Sequence, residues 1–157
     1  MHSVLAYGND IFVCGEFTSA GGVAANNVAR LSGGAWSALG SGTDGVVWDL
    51  EVIGTNIYAG GFFATAGGGI GNSIARWNGS AWSQMGVGFN DGGTVYRLAA
   101  LGNDLYVGGS FPSASGVVSS GIIKWNGSSW VAVSPDLESG SIIGLHNDLI
   151  WATEHNV

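Results

Sequence analysis

The chain has 157 residues, of which 29 are glycine and only 10% are charged, with a formal net charge of -7. Glycine stands far above its usual ~7% but without a three-residue period, which excludes a collagen-like chain, and the 46% hydrophobic content can offset the entropy of ordering, which argues against disorder. Four Lys and Arg residues are too few for a nucleic-acid groove or a polybasic membrane patch, no run approaches the ~18 apolar residues of a membrane-spanning helix, and a single cysteine, Cys14, allows no internal disulfide.

Taken in chain order, the sequence repeats itself. The first unit, about residues 1–42, carries Gly8-Asn9-Asp10-Ile11-Phe12-Val13-Cys14-Gly15-Glu16-Phe17, then Val28-Ala29-Arg30-Leu31, then Trp36. The second, about residues 43–88, carries Gly54-Thr55-Asn56-Ile57-Tyr58-Ala59-Gly60-Gly61-Phe62-Phe63, then Ile74-Ala75-Arg76-Trp77, then Trp82, each block 46 residues after its counterpart. The third, about residues 89–133, lies a further 48 on, with Gly102-Asn103-Asp104-Leu105-Tyr106-Val107-Gly108-Gly109-Ser110-Phe111, Ile122-Ile123-Lys124-Trp125 and Trp130. A fourth, residues 134–157, runs from Ile142 through His146-Asn147-Asp148-Leu149-Ile150-Trp151.

Chance does not give three blocks with shared offsets. In the second unit the apolar runs predict strand A over Val46–Ile53, strand B over Asn56–Phe62, strand C over 73–78 and strand D over 81–85. Gly54-Thr55-Asn56 reads as the A–B turn, and Asn78-Gly79 as the C–D hairpin. Repeats of ~40–50 residues with four short strands each predict an all-β chain, a β-propeller of four-stranded blades, three complete and a fourth partial, forming one domain or propeller fragment over residues 1–157. A lone four-stranded sheet cannot bury both faces, whereas a sheet stacked between two others can.

Gly60-Gly61, Trp77-Asn78 and Trp82 resemble the kelch repeat, with its double glycine ending the second strand, its aromatic–Asp pair in the third and its tryptophan in the fourth. The pattern is more similar still to bacterial surface propellers with repeats of the form GGxF…AGG…IARWNGSxWxxLG. Here Phe63-Ala64-Thr65-Ala66-Gly67-Gly68 and Ser80-Ala81-Trp82-Ser83-Gln84-Met85-Gly86 carry it. Unit one departs with Cys14-Gly15 and Leu31, and unit three with Ser115-Gly116 in place of Ala-Gly-Gly. The resemblance implies kelch-like blades and a cell-surface or secreted, hence extracellular, protein. It implies function only weakly, because propellers host many functions.

Several residues that suggest chemistry have plainer explanations. Cys14 sits in an apolar run and reads as a buried structural thiol. His2, His146 and His155 share no metal-ligand spacing, His146 aligns with the turn residue Gly54, and no metal or cofactor is expected. A kelch-type copper-radical oxidase needs a Tyr–His cluster around its cysteine, and none accompanies Cys14. Arg30, Arg76 and Lys124 recur at one position per unit, unlike the arginine cluster of sialidase-like propellers, so they are expected to be solvated or to face an aromatic ring of a neighbouring blade. Asn78-Gly79-Ser80 and Asn126-Gly127-Ser128 match the N-glycosylation acceptor pattern but are also what a tight hairpin requires. Trp36, Trp82 and Trp130, like Trp77 and Trp125, repeat with the unit and are expected to pack between blades.

Trp48 and Tyr96 differ: they align with each other on strand A, just after the variable D–A loops. Alternating strands place the B–C and D–A loops on one face and the short, uniform A–B and C–D turns on the other. The variable face holds segments 41–45, 87–94 and 134–140, with Asp44, Asn90, Asp91, Asp136 and Glu138. Asp49 and Arg97 align on strand A, the strand that lines a propeller channel, where they form either an inter-blade ion pair or polar contacts at the channel mouth. The candidate ligand contacts are therefore Asp44, Trp48, Asp49, Asp91, Tyr96 and Arg97.

The reading this favours is a non-enzymatic binding or adhesion module for a protein or glycan ligand. The alternatives are a catalytic propeller acting on glycans through Asp44, Asp49 and Asp91, which would need a perturbed carboxylate pair at fixed separation, or a purely structural repeat assembly. The first residues lack the charged and apolar regions of a signal peptide, so an export signal would lie outside this chain. The sequence opens almost directly on a strand A and stops after a strand B. The ring is therefore expected to be completed by further blades of a longer chain or by homo-oligomer contacts, since exposed strand edges recruit partners.

Overall fold

The computed structural model describes residues 1–89, 92–119 and 121–133 in full, together with the backbone of two later strands. Among the described residues there is no helix; the architecture is all-β. Unit one contributes β1 (Ser3–Tyr7), β2 (Asp10–Cys14), β3 (Ser19–Ala20), β4 (Val23–Ala24), β5 (Val28–Ser32) and β6 (Ala35–Ala38). Unit two contributes β7 (Val46–Ile53), β8 (Asn56–Phe62), β9 (Thr65–Ala66), β10 (Gly69–Ile70), β11 (Ile74–Trp77) and β12 (Trp82–Gln84). Unit three contributes β13 (Thr94–Leu101), β14 (Asp104–Ser110), β15 (Ser113–Ala114), β16 (Val117–Val118), β17 (Ile122–Trp125) and β18 (Trp130–Ala132). The later strands are β19 (Ile142–His146) and β20 (Leu149–Thr153).

Each unit builds one four-stranded antiparallel sheet: β1-β2-β5-β6, β7-β8-β11-β12 and β13-β14-β17-β18. β19 and β20 form a two-stranded ladder. The first strands of successive units lie against one another, β1 on β7, β7 on β13 and β13 on β19, so the sheets stack in chain order along their first strands.

Period-two alternation explains why the interiors of the second strands, residues 11–14, 57–61 and 105–109, are apolar on both faces. Ile57 and Ala59 face sheet one, where they join Phe12, Cys14, Val28 and Leu39 in one core. Tyr58, between them in sequence, faces the other way and meets Val95, Leu98 and Leu105 of unit three. The doubly buried stretch leaves no position for a charge, and Asp10 and Asp104 stand at the first residue of their strands, where they meet Arg30 and Lys124. Two indoles cross the same seams. Trp82 Nε1 donates to the Leu39 carbonyl at 2.7 Å, and Trp130 Nε1 to the Met85 carbonyl at 3.1 Å. Trp130 is buried as expected, while Trp82 is half-buried.

The third and fourth strands are shorter than the apolar pattern suggests. In unit two, Trp77↔Trp82 is the last pair of the C–D ladder, because the Asn78 side-chain oxygen accepts the amides of Ser80 and Ala81 and turns the chain there. Asn126 does the same for Ser128 and Ser129. The B–C connections of the first three units each contain an element the sequence reading did not anticipate, a small two-stranded hairpin. Its tip is the Ala-Gly-Gly motif: Gly21-Gly22 and Gly67-Gly68 both sit at positive φ, as do Ser115 and Gly116. Two consecutive positive-φ residues are what a tight hairpin between right-twisted strands requires. His146, expected in a turn by its alignment with Gly54, is instead the last residue of β19, paired with Leu149.

Candidate functional site

The starts of β7 and β13 each carry an irregularity at the same place. The β7–β8 register passes from Val47↔Gly61 to Asp49↔Gly60, leaving Trp48 without a partner. The β13–β14 register passes from Val95↔Gly109 to Arg97↔Gly108, leaving Tyr96 without one. Both are β-bulges, which bend the strand and turn the extra residue away from the ladder. The double glycine on the facing strand makes room: a Cβ on Gly61 would collide with the Val46 carbonyl, and one on Gly109 with that of Thr94. Trp48 is half-buried and Tyr96 exposed.

His2 belongs to the same row. It lies 46 residues before Trp48, its amide donates to the Cys14 carbonyl at 2.8 Å, and its ring lies 4.1 Å from the Trp48 ring at a tilt of 44°. The sequence reading weighed His2 only as a metal ligand, although the repeat offset already placed it with Trp48. Arg97 follows Tyr96 and is exposed, its Nη1 donating to the Tyr96 carbonyl at 3.1 Å.

Asp49 does not pair with Arg97; the only salt bridges among the described residues are Arg30–Asp10 and Lys124–Asp104. Asp49 Oδ1 accepts the Leu50 amide and Oδ2 the Leu98 amide, both at 3.0 Å. Glu51, which the sequence reading missed, repeats the arrangement two residues on, accepting from Val52 at 2.8 Å and from Ala100 at 3.2 Å. The first strand is the edge of its sheet, so half of its amides have no ladder partner, and these carboxylates satisfy them across the seam. Asp49 is thereby a structural stitch rather than a free ligand group.

Asp44 is exposed, and its Oδ1 accepts the Ala64 and Thr65 amides at 2.9 and 2.8 Å, tying the D–A loop to the B–C hairpin. Asp44 lines two cavities on the loop face. One, of about 690 Å³, lies between units one and two with Glu16, Asn26 and Asn27. The other, of about 380 Å³, lies between units two and three with Phe62, Asn72 and Phe89. These loops are fastened rather than free. Asn26 Nδ2 donates to the Ser41 carbonyl at 3.0 Å, and Asn72 Nδ2, 46 residues on, donates to that of Val87 at 2.7 Å. Asp91, with Asn90, Asp136 and Glu138, lies outside the described residues.

The recurring cations Arg30 and Lys124 pair within their own sheets rather than with a neighbouring unit's aromatics, and Arg30 keeps much of its side chain in solvent, as the other expected arrangement has it. Arg30 pairs with Asp10 at 2.6 Å and Lys124 with Asp104 at 2.8 Å. Lys124 Nζ also lies 5.8 Å from the ring of Tyr106, its direct cross-strand partner. Unit two has Asn56 where the others have the aspartate, and Arg76 Nε bonds to Ser83 Oγ at 3.2 Å instead. Hydrogen bonds from Ser32 and Arg30 hold the Asp10 carboxyl below its usual range, while the Asp104 hydrogen bond raises Lys124. Cys14 is buried in the seam between sheets one and two, and burial pushes its thiol up to about 12. No three His, Cys, Asp or Glu side chains converge as a metal site among the described residues.

On the loop face His2 meets Trp48, Arg97 bonds to Tyr96 at the matching position of β13, Asp44 lines both cavities, and both Asp49 carboxylate oxygens are taken by backbone amides. No protein-family model matches this chain, and it has no significant match among curated proteins.

Proposed function

We propose that the stacked sheets are blades of a kelch-like β-propeller and that the chain is a non-enzymatic binding module, taking a glycan or protein ligand on its loop face at the mouth of the inner strands. The observation that carries this is the pair of matching bulges that leave Trp48 and Tyr96 outside the ladder, with His2 at the same repeat position against Trp48, beside fastened loops. Aromatic faces with one polar edge suit sugar rings and aromatic peptide side chains alike, Arg97 supplies a positive charge next to Tyr96, and Asp44 a negative one on the same loop face. Rigid loops limit the entropy lost on binding. The occupation of both Asp49 oxygens by backbone amides weighs against a catalytic pair built on that residue. Exposure at a cell surface or in the extracellular space is part of the same proposal.

A glycan array probed with and without calcium, followed by titration calorimetry, tests it. The double substitution Trp48→Ala with Tyr96→Ala should abolish binding while lowering the melting temperature only slightly. A ligand that binds at the Asn78 and Asn126 hairpins, or that binds the double variant unchanged, sinks the assignment of the face.

A further inference from the structure

Sheet one has a face that nothing among the described residues fully covers. Its cross-strand register puts Val4, Ile11, Val13, Ala29, Leu31 and Trp36 on that face, with no charged residue among them. The counterparts in the next two sheets are core. Val4 is 55% exposed, whereas Leu50 and Leu98 are 5% and 6% exposed. Ile11 is 39% exposed, against 2% for Ile57 and 0% for Leu105. Val13 and Ala29 are shielded by sheet one's own Phe17 and Trp36, so the opening lies around Val4 and Ile11. The polar contact is missing as well. Trp82 and Trp130 each donate to a carbonyl of the preceding sheet, and Trp36, at the same position, has no hydrogen-bond partner among the described residues.

We infer that this face is the docking surface for one further four-stranded sheet of the same repeat, carried outside residues 1–157, an inference that rests on the blade reading above. The occupant presents apolar side chains as Phe12, Cys14 and Val28 present theirs to sheet two, and offers Trp36 a main-chain carbonyl as Leu39 and Met85 do for the later indoles. A second copy of this chain fits poorly. Its sheets one and two have the matching face covered by the sheet that follows, and sheet three is met by β19. The absence of charge suits only an apolar partner, and continuity with the two seams already built specifies its shape.

The test adds such a sheet by joining a copy of residues 43–94 in front of Met1. An Ile11→Cys thiol is then compared in the 157-residue and extended chains by maleimide labelling, with buried Cys14 as silent background, and light scattering reports the assembly state. The thiol should label freely in the 157-residue chain and at least 100-fold more slowly in an extended, monomeric chain. Trp36→Phe should lower the melting temperature of the extended chain only. Protection already present in the 157-residue chain overturns the inference, with an oligomer identifying a second copy as the occupant and a monomer identifying closure by residues 134–157. Free labelling in the extended chain, or failure of that chain to unfold cooperatively, overturns it too. Ile57→Cys and Leu105→Cys, labelled in the 157-residue chain, test the blade reading separately, since exposure at those positions would sink the stacking itself.

Discussion

The indole of Trp82 donates a 2.7 Å hydrogen bond to the carbonyl of Leu39, 43 residues earlier and one sheet away. The contact joins two units through a side chain that also packs on the seam core, so its removal should be felt in both. Because the ring is half-buried, Trp82→Ala is expected to cost about 2–3 kcal/mol by urea denaturation, below the usual range for a fully buried aromatic. Trp82→Phe keeps most of the packing and should cost about 1 kcal/mol for the lost hydrogen bond. An unchanged denaturation midpoint in the alanine variant would show that the ring is a surface platform.

The Asp49 stitch and the absent Asp49–Arg97 pair predict opposite outcomes for the two partners. Asp49→Ala leaves the Leu50 and Leu98 amides without their acceptor and should destabilise by ~1–3 kcal/mol. Arg97→Ala should change stability by no more than ~0.5 kcal/mol, the usual effect of an isolated surface substitution. Equal losses in the two variants would restore the ion pair.

Cys14 should not react with a maleimide at pH 8 in the folded protein and should react promptly in urea. Its folded pKa, near 12, lies above that of an exposed thiol, so the folded state holds its proton more tightly. The associated stability is present below the unfolded thiol pKa and is lost as pH rises from there towards 12. Rapid labelling in native buffer would place Cys14 outside the seam.

The ion pairs give a test at the other end of the pH range. Asp10 has a lowered folded pKa, so its contribution is present above the unfolded carboxyl pKa and disappears as pH falls through the folded value. An NMR titration of the Asp10 carboxyl should move upward in Arg30→Ala. Asn56→Asp should give Arg76 the carboxylate that its counterparts have, with a gain of no more than ~1 kcal/mol. A loss of stability in that variant would show that the Ser83 hydrogen bond already satisfies the guanidinium.

How far the sequence could be read follows from which features carry a side-chain signal. β7 and β8 run from Val46 to Ile53 and from Asn56 to Phe62, as the apolar runs and the Gly54 turn indicate. The B–C hairpins escaped notice because strands of two residues have no period to detect, and only the Gly-Gly tips betray them. The bulge was legible in principle. Val47 and Leu50 are both buried, an odd spacing that strict alternation forbids, and an extra residue between them resolves it. Asp49 and Glu51 were not legible as stitches, because a backbone amide looks the same in every sequence.

Each seam is completed by the unit that follows it, since Ile57 and Ala59 close the core begun by Phe12 and Cys14. The ribosome therefore delivers each sheet before the partner that covers it. A nascent chain would carry one open apolar face forward from unit to unit, and its window of vulnerability to chaperones and to aggregation moves along with synthesis instead of closing at any single point.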